Sequence, residues 1–291
     1  MAIIAISRGS YGRGKEVAEK VARKLGYTCI SREVILEASK EFNIPEIKLI
    51  HAFGDAPSIL DRFTHGKERY IAYVRAALLR HLEKGDMVYH GFSCHFFAKE
   101  IPRVLRVRVI SNLEDRIKLL MARDRVSRKE ALKLLKRIDD QRIKWGKRLY
   151  GIDIWDPNLY DLVLRIDRIT VEDAADTICG LAGLEPFRTT PESQRMVNDM
   201  VLAAEVKIAL IDVKPNLEVS AEEGIVYIKT EAPLGKDSDL LQRVGEVAQE
   251  VKGLKGIKLI SEKSFPEKRP GRPEHKGKST RDVASTFFSE L

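Results

Sequence analysis

The sequence predicts an α/β protein with three layers, a parallel sheet between two layers of helices, followed by a small α+β unit of order αββαβ. Short apolar segments of strand length alternate with helical patterns over residues 1–187, as in parallel sheets covered on both faces. The elements then follow a different order over residues 188–262, and residues 263–291 are rich in Lys, Arg, Pro and Gly. We therefore expect two folded units and a basic, disordered tail.

Apolar runs and glycines place the elements of the first unit. The predicted strands cover residues 2–6, 87–89, 104–110 and 162–166, and the predicted helices cover residues 15–25, 32–41, 64–83, 111–123, 127–147 and 170–183. Residues 27–30 predict only a short connection. Residues 43–63 contain two prolines and a glycine, so they predict broken helices and loops.

Capping residues support several of these helix boundaries. Ser111 with Glu114, and Ser127 with Glu130, have the three-residue spacing of a capping box. We expect Thr170 to cap the last helix of the unit, and a C-terminal glycine at position 26 to end the first helix.

The second unit begins after a linker at residues 185–191, which contains two prolines. Its predicted helices cover residues 194–210 and 237–252, and its predicted strands cover residues 217–220, 225–230 and 256–260. About 75 residues of this kind are enough for an independent domain.

Composition and charge narrow the class of protein. The net charge is +8, but residues 101–150 alone hold sixteen Lys and Arg against six Asp and Glu. A basic region of this kind suits phosphate-rich ligands, although salt bridges on a solvated helix give the same pattern. The three cysteines are far apart, which argues against disulfides and a cysteine zinc site. Without a signal peptide or a membrane-spanning stretch, we expect a soluble cytoplasmic protein.

The glycine-rich turn after the first strand carries the strongest chemical signal. The spacing Gly9-x4-Gly14-Lys15, between a strand and a helix, matches the phosphate-binding P-loop as far as the lysine. Backbone N–H groups of such a turn point at an anion, and the lysine adds a positive charge. Glu16 stands where a Ser or Thr would contact Mg²⁺. The alternative is an ordinary tight βα turn.

Arginines at helical spacing form a second candidate site. Arg137 and Arg148 are eleven residues, or three turns, apart, so they can face one site, while Arg142 is displaced from that line and can meet a second phosphate or a base. Arg116 and Arg123 share a face of the preceding helix. Each arginine alone fits a surface position, but the set beside a P-loop pattern favours phosphate binding.

Several segments together resemble a known family. They are GSYGRGKEVAEKVARKLGY, SREVI, VRVISNLEDRI, RIDDQR and DPNLYDLVL. Over about residues 1–183 the chain resembles the cytidylate kinase-like branch of the nucleoside monophosphate kinases, and RIDDQR is similar to the lid segment of adenylate kinases. The resemblance implies a P-loop kinase fold and transfer of a phosphate from ATP, with Mg²⁺, to a nucleoside monophosphate, CMP or dCMP above all.

The resemblance also implies roles for individual residues. Catalysis would rest on Lys15, Arg137, Arg142 and Arg148. ATP would be bound by Gly9, Ser10, Gly12, Arg13, Gly14, Lys15, Glu16, Arg116 and Arg123. The acceptor would be bound by Arg32, Asp139 and Arg142. No protein ligand to a metal is expected.

The chain departs from the family pattern after the predicted strand at residues 87–89. It reads His90-Gly91-Phe92-Ser93, where these kinases show Gly-Arg, so an acceptor-binding arginine is missing and no acidic residue follows to support Mg²⁺. Together with Glu16, this departure leaves an alternative open. In that alternative the protein binds a nucleotide without turnover and acts as a sensor.

The second unit resembles a BON domain in its αββαβ order and in the segment VKGLKGI. Such domains are linked to membrane or ligand association, and a sensor would signal through it. A third hypothesis, nucleic-acid binding by the basic region and tail, is disfavoured because no aromatic stacking motif interleaves the arginines. We therefore expect nucleotides as partners.

Overall fold

The computed structural model describes residues 2–31, 66–91, 101–214, 217–229 and 238–260, together with the helical residues Val34, Glu37 and Lys40. The rest of the predicted helix 32–41, the predicted broken helices and loops of 43–63 and the predicted tail lie outside these residues, as do Arg32 and Phe92.

The first unit is built on a five-stranded parallel sheet. Its strands are β1 Ile3–Arg8, β2 Thr28–Ile30, β3 Met87–His90, β4 Val104–Ser111 and β5 Leu162–Ile166. They lie in the order β2-β3-β1-β4-β5. Because β1 is central and parallel to both neighbours, the turn that follows it lies at the carboxyl edge of the sheet, where ligands of such sheets bind.

Helices cover both faces of this sheet. They are α1 Gly14–Leu25, α2 Gly66–Glu83, α3 Leu113–Asp124, α4 Arg128–Tyr150 and α5 Val171–Ala182. Side chains of β1 alternate between two cores. Ile3 packs in the core beneath α2, whereas Ile4 packs in the core with α1 and α5. Helices α3 and α4 pair with each other over a separate small core.

Two expectations about the first unit are wrong. Residues 28–30 form strand β2, not a connection, because they pair with Met87–Tyr89 at the edge of the sheet. Ser111 does not cap α3, since it is the last residue of β4. Asn112 takes the cap instead, and its side chain accepts a hydrogen bond from the backbone N–H of Asp115 at 2.8 Å. The capping boxes at Ser127 and Thr170 are confirmed.

The second unit has the predicted order αββαβ, with elements α6 Pro191–Leu210, β6 Glu218–Glu222, β7 Ile225–Lys229, α7 Ser238–Glu250 and β8 Gly256–Ile260. Strands β6 and β7 are antiparallel, and β7 and β8 are parallel. Helix α6 begins three residues earlier than predicted, because Thr190 caps it. A two-residue turn joins β6 to β7, and Asp199 of α6 accepts hydrogen bonds from both of its N–H groups at 2.9 Å.

Helix α6 belongs to both units. Val197 and Ala204 pack in the core beneath α2, whereas Val206 lies in the core of the second unit. An ion pair reinforces the first contact, since Arg80 of α2 holds both carboxylate oxygens of Glu205 at 2.5 and 2.8 Å. Within the described residues, no helix is both long enough and apolar enough to cross a bilayer.

Candidate active site

The N-terminus of α1 is open to an anion. Its first residue is preceded by Arg13, which has a φ of 53° and makes no capping hydrogen bond through its side chain. By contrast, α3, α4, α5 and α6 each have a side-chain cap. The first N–H groups of a helix have no partner within the helix, and the helix dipole favours negative charge there. The glycine turn can therefore receive a phosphate.

Close packing explains the glycine at position 14 of this turn. A Cβ atom on Gly14 would lie 2.5 Å from the Cβ of Arg8, which is too close for two carbon atoms, so only glycine fits at this position. The Oγ of Ser111, at the end of β4, donates a hydrogen bond to the carbonyl of Gly12 at 2.8 Å. The backbone N–H of Gly9 donates to the carbonyl of Val109 at 3.3 Å. The turn is thus held against the end of β4.

Lys15 and Glu16 point along α1. The Nζ of Lys15 lies 3.5 Å from a carboxylate oxygen of Glu19, and its side chain is 65% exposed. Glu16 is paired with Arg13 at 3.7 Å. Exposed pairs of this kind are worth about 0–1 kcal/mol, so a bound phosphate can redirect both cations.

A cavity of about 130 Å³ lies beside the turn, at the carboxyl edge of β1 and β4. Four arginines line it. Among the described lining residues, one carboxylate, that of Asp139, stands against them. The full lining is Ser7, Arg8, Gly9, Gly91, Arg108, Ile110, Ser111, Arg116, Asp139, Arg142, Ile154 and Trp155. A half-enclosed site with this excess of guanidinium groups over carboxylates favours an anion.

Arg116 ties the turn to α4. Its Nε donates to the carbonyl of Ser10 at 2.8 Å, and its two terminal nitrogens donate to the carboxylate of Asp139 at 2.8 and 2.9 Å. Arg116 is buried, so this bidentate pair is shielded from solvent. The sequence implied ATP binding for Arg116, whereas in the structure its guanidinium bridges two protein groups.

Arg142 crosses the cavity to β1. Its Nη1 donates to the carbonyl of Arg8 at 2.6 Å. Burial, followed by the nearby Arg8 guanidinium, lowers the pKa of Arg142 to about 10, and Asp139 opposes the shift. The side chain is still protonated at neutral pH, but like charges crowd it. An anion in the cavity would relieve that repulsion.

Two arginines of the cavity were missed by the sequence reasoning. Arg8, at the end of β1, donates from its Nε to the Nδ1 of the buried His90 at 3.3 Å. Arg108, in the middle of β4, is 6% exposed and donates to the carbonyl of Ile154 at 2.8 Å. The sequence did contain a signal for Arg108, because it lies within a largely apolar predicted strand. An arginine in such a strand is buried only where it has hydrogen-bonding or charged partners.

Other implied site residues lie elsewhere. Arg123 is exposed and stacks on Tyr11 of the turn, 4.5 Å from the ring centroid, with a 2.6 Å hydrogen bond to its hydroxyl. Arg137 is exposed, although the sequence placed it in the site with Arg148. The backbone of Arg148 lies in α4, and its side chain is outside the described residues. The face of α4 that meets the cavity is that of Asp139 and Arg142.

A wider depression lies on the other side of the α1 N-terminus. Arg13, Glu16 and Asp115 line it together with residues of α1 and of the β5–α5 connection. Among the described residues, no group of three or more His, Cys, Asp and Glu side chains is arranged to hold a metal ion.

Comparison with known proteins assigns the first unit to a family. Residues 3–168 match the model of the cytidylate kinase-like family. A cytidylate kinase of Pyrobaculum neutrophilum is 26% identical over 184 residues, covering 62% of this chain and 94% of the relative. A cytidylate kinase of Sulfolobus acidocaldarius is 28% identical, covering 60% and 92%.

Solved structures align with the same part of the chain. An uncharacterised protein from Eubacterium ventriosum aligns with a TM-score of 0.49 and 21% identity, covering 62% of this chain and 97% of its own. Shikimate kinase from Bacteroides thetaiotaomicron aligns with a TM-score of 0.40 and 12% identity, covering 63% and 99%. Because the family model covers more than half of the sequence, the chain belongs to the cytidylate kinase-like family, a family of nucleotide kinases.

Proposed function

We propose that the protein transfers the γ-phosphate of ATP to a nucleoside monophosphate, and that the acceptor is CMP or dCMP. The observation that carries this proposal is the cavity of four arginines beside the uncapped N-terminus of α1. Two phosphate sites meet there at the carboxyl edge of the sheet, one for a donor and one for an acceptor. Phosphoryl transfer needs this positioning and positive charge, and little else from the protein.

The residues of the turn fit the phosphates of ATP. Gly14 lets the start of α1 pack closely against Arg8 of β1, and the first N–H groups of α1 receive no side-chain cap from Arg13. Lys15 turns from Glu19 to the β- and γ-phosphates, and Arg123 with Tyr11 flanks the turn. Mg²⁺, when bound, would neutralise charge on the phosphates, and it would be held by them and by water, since Glu16 stands where a hydroxyl would contact it.

The acceptor lies in the cavity. Asp139 and Arg142, three residues apart on α4, both face it. A carboxylate accepts a hydrogen bond from the cytosine N4 amino group, which favours cytosine over uracil and thymine, since these carry a carbonyl oxygen at that position. The guanidinium groups of Arg8, Arg108 and Arg142 remain for the phosphate. Arg137 and Arg148 reach the transferring group only if α4 moves toward the turn, as a lid does.

A product assay tests the proposal. The protein is incubated with ATP, Mg²⁺ and a panel of nucleoside monophosphates, with Lys15→Ala beside the wild type. We expect diphosphate formation, fastest with CMP or dCMP, and a loss of at least about 100-fold in the variant because the transition-state charge loses a cation. Lys24→Ala, on the far end of α1, is the matched control and keeps full activity.

A second candidate function is a nucleotide sensor without turnover. Glu16 in place of the hydroxyl and the pairing of Lys15 with Glu19 favour it. Helix α6 gives such a sensor a route, because it packs on α2 of the kinase unit (residues 1–187) and on the sheet of the second, BON-like unit (residues 188–262). The second unit would then associate with a membrane or a ligand.

The same assay separates the candidates. ATP binding without product on any acceptor would sink the kinase proposal and favour the sensor. Salt-sensitive binding to DNA or RNA that Lys15→Ala leaves unchanged would instead point to a nucleic-acid ligand.

A further inference from the structure

Trp155 is an exposed aromatic residue at the mouth of the arginine cavity. Its side chain is 49% exposed, yet it lines the cavity together with Arg108, which is 6% exposed. The guanidinium of Arg108 lies 4.4 Å from the centroid of the indole ring. One face of the ring therefore covers a buried cation, and much of the remainder is open to solvent.

The loop that carries Trp155 is held in place by several hydrogen bonds. The backbone N–H of Trp155 donates to Asp153 Oδ1 at 3.0 Å. The carbonyl of the preceding Ile154 accepts from Arg108 at 2.8 Å and from the hydroxyl of Tyr160 at 3.0 Å. The ring is thus positioned before any ligand arrives, which lowers the entropy cost of binding.

The cavity and the ring offer two different kinds of contact. Arg8 and Arg108 bring positive charge to the cavity from neighbouring strands, and Gly91, which precedes Phe92 in place of the family's arginine, also lines it. Trp155 adds a flat aromatic surface to the same lining. A phosphate suits the first contact, and a nucleobase suits the second because every base has a face that can stack.

We infer that Trp155 stacks on the base of the acceptor nucleotide while Arg8 and Arg108 hold its phosphate. The inference rests on the proposed function and adds to it the residue that contacts the base. It also explains why a large aromatic side chain stays half exposed. The competing explanation is that the ring only shields Arg108.

Fluorescence tests the stacking directly, because the chain has two tryptophans, Trp145 and Trp155. In a Trp145→Phe variant all indole emission comes from Trp155. We expect saturable quenching on titration with CMP and little change with ribose 5-phosphate, which has the sugar and phosphate but no base. Binding of CMP by calorimetry without a change in emission would overturn the inference and leave the proposed function standing.

The ratio of the affinities for CMP and ribose 5-phosphate tests whether Trp155 contacts the base while the arginines hold the phosphate. Calorimetry with CMP and ribose 5-phosphate is run on the wild type and the variants, each with a thermal unfolding curve. We expect Trp155→Ala to weaken the binding of CMP roughly tenfold and to leave the binding of ribose 5-phosphate nearly unchanged. Trp155→Phe should recover most of the lost CMP affinity. Arg8→Ala should weaken both ligands alike. Arg165→Ala, an exposed arginine of β5, is the control and should change neither.

The outcomes are distinguishable. If Trp155→Ala weakens both ligands equally, the ring only supports Arg108, and the stacking inference is overturned. If the wild type binds no nucleoside monophosphate at all, the proposed function fails, and the inference fails with it.

Discussion

Arg116 and Asp139 form a two-pronged ion pair, with N–O distances of 2.8 and 2.9 Å, between helices α3 and α4. The same guanidinium donates to the carbonyl of Ser10 in the glycine turn. Because one arginine holds both the turn and the helix that carries Arg142, the glycine turn and helix α4 are mechanically connected. If Asp139 binds the acceptor base, its carboxylate must first share or release Arg116.

Asp139→Asn should therefore lower both stability and activity. It leaves the buried Arg116 without its carboxylate, and loss of one partner of a shielded pair costs about 2–4 kcal/mol in the free energy of unfolding. Asp140→Asn, one residue on and exposed, is the control and should cost less than about 0.5 kcal/mol. Denaturant unfolding measures both. Equal unfolding free energies for the two variants would show that the pair contributes nothing.

Gly14→Ala should disrupt the turn. The new Cβ would lie 2.5 Å from the Cβ of Arg8, so β1 and α1 must separate, at about 1–3 kcal/mol. ATP affinity should fall as well, because the backbone N–H groups at the start of α1 would no longer point at a bound phosphate. Gly180→Ala in α5 is a matched control, since a Cβ added there would meet nothing within 4 Å beyond the backbone of its own helix, and it should stabilise the helix slightly. Similar melting temperatures for the two variants would contradict this account.

Removal of the second unit should destabilise the first. A chain that ends at residue 187 loses α6, whose Val197 and Ala204 cover the core beneath α2. We expect a melting temperature lower by at least about 5 °C and binding of a hydrophobic dye to the uncovered face. A shortened chain that melts like the full one, without dye binding, would show that the two units are independent.

Stability should depend on Glu172 at acidic pH. Lys20 and Lys24 of α1 both bind its carboxylate at the start of α5, and these hydrogen bonds lower the pKa of Glu172 to about 2. A folded pKa below the unfolded value of about 4.5 means that the stabilisation is present above pH 4.5 and is lost as the pH falls toward 2.

Glu172→Gln should therefore lower the melting temperature at pH 7, and the difference from the wild type should shrink to nothing near pH 2. Melting curves between pH 2 and 7 measure this. Glu192→Gln, an exposed carboxylate in the first turn of α6, is the control. A difference that stays constant over the whole pH range would exclude titration of Glu172 as its origin.

Local signals in the sequence were reliable where one residue or one short period decides the structure. Gly26 ends α1 with a φ of 69°, and Ser127 and Thr170 form their capping boxes as predicted. The prediction at Ser111 failed because of a contact with a residue far away in the sequence. Ser111 and Asn112 are adjacent polar residues, and either could cap α3. Ser111 instead ends β4, where its hydroxyl donates a hydrogen bond to the carbonyl of Gly12.

The sequence by itself determined the alternation of strands and helices, the glycine turn between β1 and α1, and the αββαβ order of the second unit. These follow from side-chain periodicity and from backbone preferences, which act between residues near each other in the chain.

Only the tertiary structure decided which arginines meet in one cavity. Arg8 and Arg108 come together because β1 and β4 are neighbours, and Arg142 rather than Arg137 turns inward because α4 packs through the opposite face from the one that spacing suggested. A three-residue strand such as β2 and a helix shared by two cores are likewise set by partners far away in sequence. Spacing along a helix shows which residues share a face, and packing decides where that face points.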